Sequence, residues 1–370
     1  MAKINSICCV FNYFQHYRTS IYQLMDKELD CDFYFGDKSF GIPIKEGDVH
    51  SLRGFGGYLK NTQGLFHRFK GCHKVVLNRN YKYYIVFGDQ YCLSIWWLLI
   101  CSKILGRKTI TWGHGWYRDG MWAQNLLNRI FWRLPSHIMT YGNYAKNHMV
   151  EKGINPSKIS CIYNSLNYDR QVQLRGNVSG IYTKHFGNNN PVLFFIGRLT
   201  PIKKLDLMIE AVRKLKEKGL LVNAVFIGDG PIKQDLVSLV DSYNMNSQVW
   251  FYGACYNENE KSELIASADI CIAPGNIGLT AMDSLVFGTP AITMDNFNYQ
   301  MPEAEAIKEG VTGSFFIEND SDDLAKKIKL WLENNKDRDL IRQNCYKEID
   351  EKWNPYNQMN IIKSILAKIN

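Results

Sequence analysis

The sequence predicts an α/β protein built on parallel sheets and divided into two domains. Two observations carry this. Short apolar runs alternate with amphipathic helical stretches, and each run breaks into a polar or glycine-containing turn before the next helix. Such an order stacks strands in parallel and gathers the turns along one sheet edge, where ligands bind. The length, 370 residues, is enough for two separate cores.

Taken in order, Ile4 to Val10 reads as a buried strand, and Asn12 to Thr19 as a loop entering a helix. His16 and Arg18 in that loop are candidate acceptor-side contacts, and a surface role fits them equally well. Cys31 to Gly36 reads as a second strand. Asp30-Cys31-Asp32 spells D-x-D at its entrance, a spacing taken as coincidental there. From Arg53 to Lys82 seven cations occur with no Asp or Glu, and Phe55, Tyr58, Leu65, Phe66 and Phe69 interleave. The whole chain carries a formal charge of +8. A basic face with aromatics suits an anionic membrane surface, at about 1 kcal/mol per cation near it. A solvated basic face fits equally well. Nucleic acid is not expected, because no nucleic-acid-binding motif accompanies the patch.

Tyr84 to Gly88 reads as a strand and Tyr91 to Leu105 as a helix. Its segment Ile95 to Cys101 is apolar all round, too short for the roughly 20 residues that span a bilayer, and is expected to be buried. Thr109 to Trp112 is a strand ending in Gly113-His114-Gly115. Glycines on both sides let the backbone approach a ligand closely, which makes His114 a candidate site residue. A helix from Trp122 to Leu134, a strand from His137 to Tyr141, a helix from Tyr144 to Lys152 and a strand from Ile159 to Tyr163 complete a first domain, residues 1–165. Residues 166–190 are polar and aperiodic and read as a linker. A second domain covers 191–354 and a terminal helix 355–370. Ten scattered cysteines without C-x-x-C spacing, and no leader sequence, point to free thiols in a reducing cytoplasm.

The second domain holds the most informative turns. Val192 to Ile196 breaks into Gly197-Arg198-Leu199-Thr200-Pro201-Ile202-Lys203-Lys204, where a helix should begin. Cations at a helix N-terminus lose about 0.3–1 kcal/mol, so a bound anion or a plain solvated turn accounts for them. Gly228-Asp229-Gly230-Pro231 closes the next apolar run. Pro274 to Asp283 and Phe287 to Thr293 follow.

These motifs resemble glycosyltransferase group 1, the large retaining family (family four) with the GT-B fold. Gly197, Arg198, Leu199 and Lys203 match its G-R-L-x-x-x-K pattern, Gly228 to Pro231 its G-D-G-P, and Asp283, Gly288 and Pro290 its acid followed by G-x-P. The resemblance implies two Rossmann-like domains with parallel sheets facing across a cleft, and a C-terminal helix crossing back to the first domain. It implies transfer of a hexose-type sugar from a nucleoside diphosphate to a hydroxyl of a lipid-linked or saccharide acceptor, in cell-envelope polysaccharide or glycolipid synthesis. Arg198 and Lys203, with His114 facing the sugar, would serve catalysis. The amides of Ile277, Gly278, Leu279 and Thr280 would meet the diphosphate, Gly197, Gly228 and Gly230 would let the chain approach the nucleotide, and Asp283 would hold the ribose. No cofactor and no metal are expected.

The family's first acid falls at Gly275, and Asn276 is the expected neutral substitute. Loss of that charge-assisted bond costs about 1.5–3 kcal/mol, roughly ten- to a hundredfold in rate. The Ser at 165 replaces a glycine usual in the family's hinge turn. Alternatives are a non-catalytic partner subunit and a nucleotide-sugar epimerase on the same fold. A dinucleotide-dependent oxidoreductase is weaker, since Gly228-Asp229-Gly230 lacks the third glycine.

Overall fold

A computed structural model describes residues 6–39, 45–62 and 64–370. Ile4 and Asn5, at the start of the expected first strand, lie outside them. The chain divides into two units. One comprises Met1–Asn167 with Asn354–Asn370, and the other Tyr168–Trp353.

The first unit holds strands β1 (Ile7–Phe11), β2 (Asp32–Gly36), β3 (Phe55–Thr62), β4 (Arg68–Lys70), β5 (Tyr83–Phe87), β6 (Lys108–Gly113), β7 (His137–Thr140) and β8 (Ile159–Cys161). Their order is β4-β3-β2-β1-β5-β6-β7-β8. Every neighbouring pair is parallel except β3 and β4. β1 is buried along its whole length, which is why it reads as an unbroken apolar run instead of an alternation. The Arg53–Lys82 stretch, read from composition alone, forms the β3–β4 hairpin and the helix Cys72–Leu77. Its aromatic Phe69 is buried, and Arg53 bonds the Asp26 carboxylate at 3.1 Å. The D-x-D acids also have local work: Asp30 ends a helix in the left-handed region, and Asp32 accepts from the Tyr81 hydroxyl at 2.6 Å.

One expectation is corrected here. The helix Leu93–Ile104 is not buried all round: Ile95, Leu98 and Leu99 face the sheet, while Trp97 and Ile100 are exposed. An apolar run fixes helicity but not the number of covered faces.

The terminal helix, Pro355–Ile369, belongs to the first unit, where Met359, Ile362 and Ile365 join its core. Its buried Gln358 accepts from Ser165 Oγ at 2.6 Å and donates to the Tyr163 carbonyl at 3.1 Å. The serine in the family's glycine position thus ties the end of the first chain segment to the terminal helix.

The second unit holds β9 (Val192–Ile196), β10 (Asn223–Ile227), β11 (Val249–Gly253), β12 (Ile270–Ala273), β13 (Ala291–Met294) and β14 (Gly313–Phe316), all parallel, in the order β11-β10-β9-β12-β13-β14. Residues 168–190 are not a free linker. They form the helices Tyr168–Gln173 and Ile181–Phe186 within this unit. Sparse long-range anchors hold them: Tyr182 donates to the Leu264 carbonyl at 2.7 Å, and Arg175 pairs with Asp350 at 2.7 Å. Such anchors leave no periodicity to read.

His137, at the start of β7, is buried, with Nε2 2.9 Å from Ser160 Oγ. Burial, and then the charges of Lys368, Lys158 and Lys146, push its pKa down from 6.5 to about 4. The unfolded chain therefore binds the proton first, and stability falls as pH drops from 6.5 toward 4. The full shift is worth about 3 kcal/mol. Denaturant midpoints across that window should show the decline, and His137→Asn should flatten it; an unchanged slope would contradict the assignment.

Candidate functional site

In an open parallel sheet the ligand crevice forms where neighbouring strands send their connections in opposite directions. In the second unit that point lies between β9 and β12, flanked by β10. Gly197 and Arg198 follow β9, Gly228 to Gly230 follow β10, and Pro274 to Thr280 follow β12.

These turns pack backbone on backbone. Leu199 N–H donates to the Asp229 carbonyl, and Gly197 N–H to that of Ile227, both at 2.9 Å. A Cβ on Gly228 would lie 1.8 Å from the Gly197 carbonyl oxygen, and one on Gly230 2.1 Å from that of Leu199. Both glycines are therefore required by turn-on-turn contact, whatever ligand binds.

The helix after the first turn starts later than its sequence suggests. Pro201–Lys203 is a single 3-10 turn, Lys204 is left-handed at φ 49°, and Asp206 opens the helix Asp206–Glu217. The lysines thus precede the helix, and its first turn carries an acid, as a helix N-terminus favours. Lys204 is spent on structure, donating to Glu318 and Asn319 at 2.7 Å each.

Lys203 turns the other way. Its Nζ donates to the Asn276 carbonyl at 2.6 Å and to Asn276 Oδ1 at 2.8 Å. An ammonium has three donors, so one remains. Burial pushes its pKa down to about 8, against the opposing charge of Glu303. Arg198 is exposed and makes no hydrogen bond or ion pair to a described residue.

Of the expected amides, Ile277 N–H is already taken, donating to Gln300 Oε1 at 3.0 Å. The Thr280 hydroxyl donates to the Ile196 carbonyl at 2.9 Å and moors the helix Leu279–Val286 to β9. The amides of Gly278, Leu279 and Thr280 carry no hydrogen bond to a described residue. Gly278, at φ 52° and ψ −143°, holds a conformation open essentially to glycine. Three helix-start amides without a hydrogen bond to a described residue, beside the connection that carries Arg198 and Lys203, are the kind of group that can hold an anion.

At Gly275, where the resemblance puts the first acid, the backbone is closely packed. Its N–H donates to the Lys203 carbonyl at 2.9 Å, and a Cβ there would lie 2.1 Å from the Ile202 carbonyl oxygen. No side chain fits. Asn276 keeps its amide N–H2 clear of hydrogen bonds to described residues. Sequence reading missed Glu303: it is 3% exposed, on the turn Pro302–Ala306, and its charge acts on Lys203. Gln300 and Met301 bring that turn against Ile277 and Gly278, a proximity that no local spacing announces. Asp283 is committed through Oδ1 to Gln171 at 2.9 Å and Lys261 at 3.0 Å, so a ribose would have to use Oδ2. Burial alone would depress the Lys261 ammonium; Asp283 and Glu258 outweigh it and raise its pKa.

The first unit has its own switch point, between β1 and β5. A cavity of about 340 Å³ lies there, lined among others by Asn12, Asn61, His67 and Asp89. Asn61 is buried and its Oδ1 accepts no hydrogen bond from a described residue, while His67 Nε2 is 3.5 Å from Asp89 Oδ2. None of these four was legible as a site residue. Arg18 is interior, bonded to the Tyr141 hydroxyl and stacked over the Trp112 and Tyr141 rings. It adjoins His114, whose ring lies 5.1 Å from that of Tyr141. His114 is exposed as a residue, yet desolvation by the surrounding protein and then the Arg18 charge push its pKa down to about 4. It is thus neutral near pH 7. His16 stands apart, exposed, with Nδ1 3.2 Å from the Lys45 carbonyl oxygen.

Residues 183–348, most of the second unit, match the profile described as glycosyl transferases group 1. The second unit belongs to that family. Among curated relatives of this chain, the GDP-mannose-dependent alpha-(1-6)-phosphatidylinositol dimannoside mannosyltransferase of Mycobacterium tuberculosis is 33% identical over 104 residues, 27% of this chain and 26% of that protein. Matches of this kind span half or less of the curated relatives' own length. Solved structures match along the whole chain. HepE of Anabaena in complex with UDP has a TM-score of 0.73 at 15% identity, covering 98% of this chain and 100% of that one. The lipopolysaccharide outer core galactosyltransferase WaaB gives 0.70 at 14%, covering 98% and 99%. At such identities the likeness establishes the fold, which is GT-B.

Restoring the family's acid at 275 should fail for steric reasons. Gly275→Ala should cost about 2–4 kcal/mol, near the upper end for single substitutions, and Gly275→Glu at least as much. Unfolding midpoints measure this, and an unchanged Gly275→Ala would mean that the turn yields.

Proposed function

We propose that the protein is a retaining hexosyltransferase. It moves a sugar from a nucleoside-diphosphate sugar to a hydroxyl of a lipid-linked or saccharide acceptor, in the assembly of an envelope polysaccharide or glycolipid. The observation that carries this is the convergence of exposed Arg198, half-buried Lys203 and three unbonded helix-start amides at one sheet switch point. The names of similar proteins support it: a GDP-mannose-dependent mannosyltransferase among relatives, and a UDP complex among structures of the same fold.

In the reaction, the bond between the sugar's anomeric carbon and the diphosphate oxygen breaks, and a bond to the acceptor oxygen forms on the same face. The acceptor's proton passes to the departing diphosphate oxygen. Negative charge grows on that diphosphate, and fixed donors aimed at it lower the barrier most effectively. Arg198, Lys203 and the amides of Gly278 to Thr280 fill that role in place of a metal ion. The Asn276 amide meets a sugar hydroxyl, and the cavity by Asn61 and His67 takes the acceptor. His114, neutral, offers a hydrogen bond at the first unit's own sheet edge without placing a cation there.

A second reading, a non-catalytic nucleotide-binding subunit, draws on Gly275, which removes the family's first acid. Nucleotide binding and released nucleotide separate the two. UDP, GDP or ADP at a hundred times its dissociation constant should stabilise the fold by about 2.7 kcal/mol. Turnover of the matching sugar then decides for catalysis; binding without turnover of any sugar and acceptor decides for the subunit.

Arg198→Ala and Lys203→Ala should each lower kcat/KM about ten- to a hundredfold. Because the ammonium is the working form of Lys203, kcat/KM should fall as pH rises through about 8. Lys203→Arg should move that limb upward. Wild-type turnover in both alanine variants would remove the phosphate clamp.

A further inference from the structure

The first unit exposes an apolar surface that the proposed reaction does not use. The helix Leu93–Ile104 presents Trp97, Ile100 and Ile104 to solvent, and the helix Trp122–Phe131 presents Trp122, Leu126 and Ile130. Ile104 is 77% exposed and Trp122 80%. The spacings of three and four residues set each trio along one stripe of its helix. The two helices are successive crossovers, β5 to β6 and β6 to β7, between adjacent parallel strands. Right-handed crossovers place both on one face of the sheet. Trp96 and Phe131, ring centroids 5.2 Å apart, join them side by side. Their inner sides bury Ile95, Leu98, Leu99 and Phe131, so the exposed stripes face outward together. Six large apolar side chains on adjoining helices exceed the scattered exposure normal for a soluble surface.

The ends of the same helices are basic. Lys103 from the first and Arg133 beyond the second line one cavity of about 280 Å³, with Arg107, Lys108 and Lys158. Between Asp89 and Glu151 the sequence holds seven Lys or Arg and one acid, Asp119, which is bonded to Lys152. Neither helix contains an acid.

We propose that this two-helix face docks the first unit onto an anionic lipid bilayer. Trp97 and Trp122 enter the interface, and the Lys103–Arg133 cavity receives a phospholipid phosphate. Amphipathic helices bearing tryptophan on the apolar side and cations at the rim lie in this way in the plane of a membrane. At 12 and 10 residues the helices lie on the bilayer and do not cross it. A second copy is the poorer occupant: a two-fold pairing would set the basic rims against themselves without acids to offset them. The proposal moves the membrane-facing surface from the Arg53–Lys82 stretch, where Arg53 and Phe69 are already engaged, to this face. It does not depend on the catalytic reading.

The test is flotation of the full chain with vesicles of phosphatidylcholine alone and of phosphatidylcholine mixed with phosphatidylglycerol. The protein should float with the anionic vesicles only, and its tryptophan emission should move to shorter wavelength. Lys103→Glu with Arg133→Glu should weaken binding about thirtyfold or more, and Trp97→Ser with Trp122→Ser about tenfold. All four positions are at the surface, and unchanged melting temperatures would confirm folding. Absence of wild-type flotation would overturn the proposal. So would wild-type binding by both double variants, as would light scattering that shows a dimer which the tryptophan variant splits.

Discussion

The candidate donor site depends on one constraint, the contact of bare backbone with bare backbone where the turns of the second sheet meet. Gly228 lies against the Gly197 carbonyl, Gly230 against that of Leu199, and Gly275 against those of Ile202 and Lys203. Hydrogen bonds between Leu199 and Asp229, and between Gly275 and Lys203, lock these approaches. Because the turns are drawn so close, Arg198, Lys203 and the Gly278–Thr280 amides come within one neighbourhood. The same closeness removes any side chain at 275.

That packing explains which parts of the site were legible. Gly197, Arg198, Lys203, Gly228 and Gly230 lie in the connections that follow β9 and β10, two strands that pair directly. Ile277 and Lys204 look the same in sequence as their neighbours. One is consumed by Gln300 and the other by Glu318 and Asn319, partners distant in the chain. Glu303 reaches its place on the return from β13, and Asn61 by the pairing of β3 beside β2, neither of which local spacing encodes. The sequence shows which turns matter, but it does not show which donors in them remain unspent.

The fold was read more fully than the site for a similar reason. Strands buried on both faces are continuous apolar runs, and helices against them repeat on a 3.6-residue period. Where long-range single contacts replace periodic burial, reading fails, as at Tyr182 and Arg175 in the stretch taken for a linker. It also fails where apolar residues face outward, as on the Leu93–Ile104 helix. Hydropathy there marks an exposed stripe as well as the buried one.

The bond from Ser165 and Tyr163 to Gln358 has a consequence for synthesis. The first unit draws core residues Met359, Ile362 and Ile365 from beyond residue 353, after the entire second unit. The amino-terminal sheet is therefore synthesised well before the helix that completes its core, with 168–353 made in between. Domains usually mature in the order in which they are translated; here the unit that starts first is the one that finishes last.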